Sequence, residues 1–207
     1  IKKRIKKKEK KKKKLQLRKE KNNLTKELQK KIEIGTVIKQ DISENRAKIV
    51  YLGVGSNLGN RFINIEKAKI MLIKNQIKII RSSSYYETLS WPNFNHPKFL
   101  NIVLQVKTSV DVANLLKICK QIENSLGRKK TLKNFPRECD IDILDYDNKN
   151  SVVKGINLPH LRMHKRNFVL IPLFEIDKNW IHPKFHQHIK SLIFSLSNKD
   201  ITSIKQI

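Results

Sequence analysis

Apolar and polar positions follow two different periods between residues 48 and 146, one typical of β-strands and one typical of α-helices. Short runs rich in β-branched and aromatic residues predict strands. They cover residues 48–54, 76–88, 99–108 and 139–146. Apolar residues that recur every three or four positions predict helices over residues 62–73 and 109–126, and Gly127 follows the second helix as a stop signal.

The order of these elements is strand, helix, strand, strand, helix, strand. That order is typical of a ferredoxin-like βαββαβ sandwich, an α+β fold in which helices cover one sheet. Two further helices are predicted near the end of the chain, over residues 166–177 and 188–196. We therefore expect an α+β, ferredoxin-like sandwich with extra C-terminal helices.

The first 47 residues differ in composition from the rest. Residues 10–14 are an unbroken run of lysines, and like charges at this density repel more strongly than they can be buried. We therefore predict a lysine-rich, disordered segment over residues 1–47 and a globular domain over residues 48–207. Nonspecific nucleic-acid contact, tethering to a membrane and a merely solvated tail all stay open for this segment.

The positive charge extends beyond that segment. The chain has a formal net charge of +27, and residues 1–48 hold 20 Lys or Arg against 6 Asp or Glu, so about half of the excess lies in the body. A basic body suits nucleic acid, an acidic membrane surface or a polyphosphate ligand, while A+T bias in a genome produces the same lysine excess without a function. A nucleic-acid-binding protein, with steeply salt-dependent binding, is therefore one hypothesis.

Cysteine content and hydropathy limit the predicted cellular location of the protein. Cys119 and Cys139 are too few for a disulfide framework or a four-ligand zinc site, which predicts a reducing, cytoplasmic location. No apolar run approaches the roughly 18 residues of a membrane-spanning helix, and no secretory signal follows the basic start. The chain begins with Ile1, and its sequence does not predict an oligomeric state.

The glycines of residues 53–59, GVGSNLG, follow a predicted strand and precede a predicted helix. A dinucleotide-binding turn would lie at this place, but the third glycine comes one residue late. Such a turn also needs an acidic residue about 20 positions on, where this chain has Arg81 and serines. A phosphate-binding P-loop is excluded because the GK[ST] sequence is missing. A nucleotide-binding turn and a plain tight turn both stay open.

The pair Asp140 and Asp142 is a sharper signal. Side chains alternate between the two faces of a strand, so these carboxylates should project together while Ile141, Ile143 and Leu144 face the core. Two neighbouring carboxylates repel each other, and Mg²⁺ relieves that repulsion because it prefers oxygen ligands. A metal site and a solvated strand face are the alternatives, and the rarity of acids in strands favours metal.

Cations and imidazoles gather in the sequence around the two aspartates. They are Arg128, Lys129, Lys130, Arg137, His160, Arg162, His164, Lys165 and Arg166. Transfer of a phosphoryl group needs positive donors near the phosphate oxygens, and arginine offers paired N–H groups for that purpose. The combination predicts a polyphosphate site, although each residue alone would more often be a surface group.

Aromatic residues lie among the polar loops that follow the predicted strands. They are Trp91, Phe99, Phe135 and Phe168. A flat heterocycle could stack between two of these rings while Asn101 reads its edge, and burial of Phe99 and Phe168 in the core is the alternative.

Five motifs together resemble the hydroxymethyldihydropterin pyrophosphokinase family, in the same order and at compatible spacings. They are GVGSNLGNR at 53–61, FLN at 99–101, GR at 127–128, PRECDIDIL at 136–144 and PHLRMHKRNFVLIPLFEI at 159–176. The resemblance covers residues 48–195. It implies an enzyme of folate biosynthesis that transfers diphosphate from ATP to the hydroxymethyl group of 6-hydroxymethyl-7,8-dihydropterin and releases AMP.

The resemblance also implies roles for the polar residues. Asp140 and Asp142 would hold two Mg²⁺ ions that bridge the phosphates of ATP, the co-substrate. Catalytic arginines on a mobile loop, Arg128 and Arg137, would close over the site. The ATP-binding residues implied are Glu123 near the adenosine, Arg128, His160 and Arg166.

The same resemblance implies which residues bind the pterin. Phe99 and Phe168 would sandwich it, Thr88 and Asn101 would hydrogen-bond it, and Trp91 would belong to the pterin-binding loop. This chain departs from the family pattern at Asn134 and Phe135, where the mobile loop commonly carries tryptophan and glycine. Stacking from that loop is therefore in doubt unless Phe135 takes the role from a shifted position.

Overall fold

The computed structural model describes Lys26 and residues 46–90, 93–128 and 135–207. The chain divides after Arg46 into two units, Ile1–Arg46 and Ala47–Ile207. Most of the first unit lies outside the described residues, so the disorder of residues 1–47 and their contact with nucleic acid stay predictions. Among the described residues, no helix is both long and apolar enough to span a bilayer.

The second unit contains eight strands and five α-helices in the described residues. The strands are β1 (Lys48–Ser56), β2 (Lys78–Ser82), β3 (Tyr86–Thr88), β4 (Phe99–Thr108), β5 (Asp140–Tyr146), β6 (Ser151–Val153), β7 (Ile156–Leu158) and β8 (Lys205–Gln206). The helices are α1 (Arg61–Lys74), α2 (Val112–Ser125), α3 (Asn167–Ile176), α4 (Ile189–Phe194) and α5 (Asn198–Thr202). A short 3-10 helix covers Met163–Lys165.

The main sheet has the order β5-β1-β4-β3-β8, and its pairings are antiparallel. Strands β2 and β3 pair with the same strand β4, β3 with its first residues and β2 with its last ones. This order confirms the ferredoxin-like α+β prediction. The strand predicted over residues 76–88 is divided into β2 and β3 near Ser83. The Ser83 amide still donates to the Val103 carbonyl at 3.0 Å, but the return bond goes to the side chain. Its hydroxyl accepts from the Val103 amide at 3.0 Å.

Each face of the sheet has its own hydrophobic core. Val50, Leu52 and Val54 of β1 belong to one cluster, which includes buried residues of α1 and α2. Tyr51 belongs to the other, together with buried residues of α3 and α4 and with Trp180. The predicted C-terminal helices therefore cover the face that α1 and α2 leave open, which follows from the two-residue period of β1.

One predicted orientation in β5 is wrong. Ile141 and Ile143 pack in the first cluster as expected, but Leu144 packs in the second cluster, on the opposite face. Leu144 directly follows Ile143, so the ordinary alternation of side chains along a strand places it on that face. A register shift opposite Tyr51 and Leu52 marks a β-bulge at Leu144, and this bulge returns Tyr146 to the first cluster.

The placement of the glycines also differs from the sequence expectation. Gly53 and Gly55 lie inside β1 and are not part of a turn. Only Gly59, with a φ of 64°, belongs to the connection that leads into α1. Asn60 then caps that helix by accepting a hydrogen bond from the Ile63 amide at 3.1 Å.

Candidate active site

The two aspartates of β5 project from the sheet beside two glycines of β1. Asp140 is the register partner of Gly55, and Asp142 is the partner of Gly53. Their side chains are 24% and 37% exposed. Because glycine has no side chain, β1 leaves an open floor next to both carboxylates.

Arg128 joins Asp140 to a buried glutamate. Its Nη1 donates to Asp140 Oδ1 at 2.6 Å and lies 2.7 Å from Glu123 Oε2. Glu123 is 1% exposed and accepts from the Ile141 amide at 2.8 Å and from Lys120 Nζ at 2.9 Å. The Glu123 carboxylate therefore connects α2, β5 and Arg128, and its protein partners leave little of it for a ligand.

Arg137 lies between Asp140 and the ring of Phe99. Its Nε is 3.4 Å from Asp140 Oδ2, and its guanidinium carbon is 5.7 Å from the Phe99 ring centre. Among the described residues this buried Nε has no partner at hydrogen-bond geometry. The side chain as a whole is 22% exposed, so its guanidinium can reach a ligand that lies over the floor.

The backbone of Arg137 is held by Asn57, a residue that sequence reasoning did not assign. Asn57 Oδ1 accepts from the Arg137 amide at 2.8 Å, and the Asn57 amide donates to the Arg137 carbonyl at 3.1 Å. Its Nδ2 donates to the Pro97 carbonyl at 3.2 Å. These partners are 40 and 80 residues away in sequence, so no local pattern could reveal the contact.

Asp142 lies close to an arginine and a histidine. Arg166 Nη1 donates to Asp142 Oδ2 at 3.3 Å, and His160 Nε2 lies 3.9 Å from the same oxygen. Burial lowers the pKa of His160, so the ring is neutral near pH 7. Since His160 Nδ1 accepts from the Arg162 amide at 3.2 Å, the ring proton belongs on Nε2, the nitrogen on the side of Asp142.

The predicted pterin residues lie on the same floor. Asn101 Nδ2 donates to Thr88 Oγ1 at 2.9 Å, and both side chains are buried. Phe99 and Phe168 are partly buried, and the Arg166 guanidinium carbon lies 5.3 Å from the Phe168 ring centre. The structure therefore places both predicted aromatic rings beside arginines of the charged cluster.

Strand register fixes the separation between the charged and neutral groups. Gly55 has Asp140 as its partner on one side and Asn101 as its partner on the other. Residues paired in this way face the same side of the sheet, and two strand spacings put their Cα atoms about 10 Å apart. Gly55 also approaches Asn101 closely, because a Cβ added there would lie 2.9 Å from Asn101 Oδ1.

The donor set at Asp140 and Asp142 fits magnesium. Both groups are carboxylates on one face, and Mg²⁺ is usually bound by one or two carboxylates, water and substrate phosphates. Within the described residues, no group of three His, Cys, Asp or Glu side chains forms a closed metal cage. An open pair of acids is the arrangement that a metal shared with a phosphate substrate requires.

Some predicted residues cannot be placed in this site. Trp91, Asn134, Lys129 and Lys130 lie outside the described residues. Phe135 is described, and its ring centre lies 5.6 Å from that of His96, in the loop between β3 and β4. Its proposed stacking on a pterin stays a prediction.

Comparisons with known proteins agree on one family for this chain. The sequence model of the 7,8-dihydro-6-hydroxymethylpterin-pyrophosphokinase family matches residues 51–178. The 2-amino-4-hydroxy-6-hydroxymethyldihydropteridine pyrophosphokinase of Aquifex aeolicus is 42% identical over 141 residues, which cover 68% of this chain and 88% of that protein. The family-model match includes the segments that carry both aspartates and the charged residues around them.

Two other relatives are longer proteins. The mitochondrial folate synthesis bifunctional protein of Arabidopsis thaliana is 35% identical over 127 residues, which are 61% of this chain and 23% of that protein. The crystal structure of Plasmodium falciparum HPPK-DHPS with pteroate is similar with a TM-score of 0.63 at 16% identity, over 79% of this chain and 46% of that one. At that identity the structural likeness concerns the fold alone.

Proposed function

The chain belongs to the 7,8-dihydro-6-hydroxymethylpterin-pyrophosphokinase family, and on that premise we propose how its residues bind the two substrates. It is a pyrophosphokinase of folate biosynthesis, which transfers diphosphate from ATP to the hydroxymethyl group of 6-hydroxymethyl-7,8-dihydropterin. The pterin hydroxyl oxygen forms a bond to the β-phosphorus, the bond from that phosphorus to the oxygen of the α-phosphate breaks, and AMP leaves. We assign no described side chain as the base that accepts the hydroxyl proton.

The triphosphate of ATP binds over Asp140 and Asp142. Mg²⁺, when bound to these carboxylates, neutralises phosphate charge and orients the β-phosphate for in-line attack. Arg128, Arg137 and Arg166 now lie at the carboxylates, and we propose that their guanidinium groups turn to the phosphate oxygens when ATP binds. The Nε2–H of His160 donates a further hydrogen bond to the polyphosphate.

Glu123 acts indirectly in this proposal. Its carboxylate holds Arg128 and the Ile141 amide, so it orients both the arginine and the start of β5. Its expected position near the adenosine stays a prediction, because the contacts described here are with the protein.

The pterin binds at the neutral end of the floor. Phe99 and Phe168 stack on its two faces, and Asn101 hydrogen-bonds its polar edge while Thr88 holds the Asn101 amide in place. The pterin hydroxymethyl group then points along the sheet toward Asp140. Arg137 lies between the two substrates, since it is close to both Phe99 and Asp140.

This proposal rests on three register partners that lie side by side on neighbouring strands, Asp140, Gly55 and Asn101. They join a charged end suited to polyphosphate and a neutral end suited to a flat heterocycle, about 10 Å apart on one open face. That distance accommodates a pterin hydroxymethyl group that reaches toward the middle of a triphosphate.

The test is an assay of the purified chain with ATP, Mg²⁺ and 6-hydroxymethyl-7,8-dihydropterin, with AMP measured by chromatography. We expect AMP only when the pterin and the metal are both present. AMP that forms equally without pterin would indicate hydrolysis of ATP, and a folded sample without AMP would contradict the proposal.

The cytoplasmic location and the nucleic-acid contact of the lysine-rich segment stay predictions. Microscopy of the tagged protein tests the first, since the Arabidopsis relative carries a mitochondrial name. A salt titration of RNA binding tests the second, because contacts with phosphates weaken steeply as salt rises.

A further inference from the structure

Three charged side chains join the two ends of the loop between β3 and β4. Thr88 and Phe99 are register partners at the base of this loop. Next to them in the chain are Glu87 and Lys98. Lys98 Nζ donates to Glu87 Oε1 at 3.0 Å, and Arg61 Nη1 donates to Glu87 Oε2 at 3.1 Å. The same Arg61 nitrogen donates to the Lys98 carbonyl at 2.9 Å. Glu87 thus connects the last residue of the loop to α1.

The position of Arg61 is electrostatically unfavourable without Glu87. Arg61 is the first residue of α1, where the exposed amides carry partial positive charge and favour an acidic side chain. The first turn of α1 contains no acid. Glu87 is therefore the carboxylate that neutralises Arg61 and Lys98 together, and both cations lower its pKa, Lys98 more strongly.

This ion-pair group lies behind the pterin residues and does not reach into the site. Tyr86 and Thr88 face the opposite side of β3 from Glu87, because side chains alternate along a strand. On that side, Tyr86 hydroxyl donates to Glu175 Oε2 of α3 at 3.0 Å, and Thr88 holds Asn101. Any effect of Glu87 on the pterin must therefore act through the backbone of β3 and β4.

We propose that Glu87 is a positioning residue for the pterin, which keeps Thr88 and Phe99 in register by joining Arg61 and Lys98 across the base of the loop. This role rests on the proposed pterin site. Without the carboxylate, two neighbouring cations repel each other at the loop base, and Phe99 and Asn101 lose their fixed distance from Thr88. Ion pairs that stay in contact with solvent, as these partly exposed ones do, contribute little to overall stability, so we expect the effect on substrate position and not on folding.

The experiment compares Glu87→Gln and Lys98→Gln with Lys69→Gln in the full chain. Lys69 is a matched control because it forms a 2.8 Å ion pair with Glu66 of the same helix α1, and its ion pairs involve no described residue of the loop. Steady-state kinetics are measured with pterin varied at saturating ATP and Mg²⁺, and then with ATP varied at saturating pterin. Melting temperatures are recorded for every variant.

We expect the KM for pterin to rise about threefold to tenfold in Glu87→Gln and less in Lys98→Gln, with kcat and the KM for ATP within about twofold of the wild-type values. Lys69→Gln should match the wild type. Raising the salt concentration should increase the pterin KM of the wild type and lower that of Glu87→Gln, because salt screens the ion pairs in the first and the repulsion between Arg61 and Lys98 in the second.

An unchanged pterin KM in Glu87→Gln would overturn the positioning role, as would equal increases in the KM values for pterin and ATP. If the wild-type chain forms AMP, either result rejects only the positioning role of Glu87 and leaves the proposed function in place. A folded wild-type chain that forms no AMP with pterin would reject both this role and the proposed function.

Discussion

The two ends of the site are built from different kinds of side chain. At the phosphate end, Asp140 and Asp142 are partly exposed and are matched by nearby arginines. At the pterin end, Thr88 and Asn101 are buried and neutral, and they bond to each other. The phosphate end can exchange internal ion pairs for contacts with a polyanion, whereas the pterin end offers a preformed, uncharged surface. In the proposed function, charge supports turnover at one end, and fixed neutral geometry selects the acceptor at the other.

Removing one carboxylate should break the phosphate end alone. In Asp142→Asn, the shape of the side chain is kept but its charge is lost, so we expect kcat to fall by about 10³-fold or more. Binding of pterin, measured by calorimetry without ATP, should stay within about twofold because the neutral end is untouched. A variant with normal AMP formation would contradict the assignment of Asp142.

Removing the amide at the other end should give a smaller and complementary loss. Asn101→Ala deletes the group that pairs with Thr88 and reads the pterin edge, and a lost buried hydrogen bond of this kind lowers kcat/KM for pterin by about 10- to 100-fold. Binding of a non-hydrolysable ATP analogue should not change. Equal weakening of the analogue and the pterin would show that the two ends are not independent.

A glycine between the two ends offers a finer test. A Cβ in Gly55→Ala would meet Asn101 Oδ1 at 2.9 Å, so we expect displacement of Asn101 and a rise in the pterin KM of about fivefold to tenfold. Gly53→Ala is the matched control on the same strand, because its Cβ would contact only the flexible end of Leu144, at 3.4 Å. Similar kinetics for the two variants would contradict the close-approach explanation.

The third aspartate of β5 should affect stability and not turnover. Asp145 accepts from Trp180 Nε1 at 2.9 Å, and burial raises its pKa from 3.8 to about 6. The folded state therefore holds this proton more tightly than the unfolded state, so stability falls as pH rises from about 4 to 6 and stays lower above that range. The full contribution is at most roughly 3 kcal/mol.

Asp145→Asn keeps an oxygen for Trp180 and removes the charge. We expect the free energy of unfolding at pH 7.5 to rise by roughly 1–3 kcal/mol, with less change between pH 4.5 and 7.5 and with kcat within about twofold of the wild type. Denaturant unfolding at the two pH values measures this. The same pH dependence in the variant and the wild type would exclude Asp145 as its source.

The phosphate end could be predicted from sequence because its residues are chemically conspicuous and close together. Asp140 and Asp142 are two residues apart on a strand, and Arg137 precedes Asp140 by three. The pterin end was harder, since Phe99 and Asn101 look like ordinary strand residues without the family resemblance. Asn57 was not predicted at all, because its role depends on segments that only the fold brings beside it.

By itself the sequence determined the order of strands and helices, the face that Asp140 and Asp142 share, and the family. These depend on local periods and on motifs within short segments, which the chain carries before it folds. Only the tertiary structure decided that Gly53 and Gly55 form an open floor, that a bulge returns Tyr146 to the face of Ile143, and that Glu87 joins α1 to the loop between β3 and β4. Strand register and packing create such contacts, because they set which distant residues become neighbours.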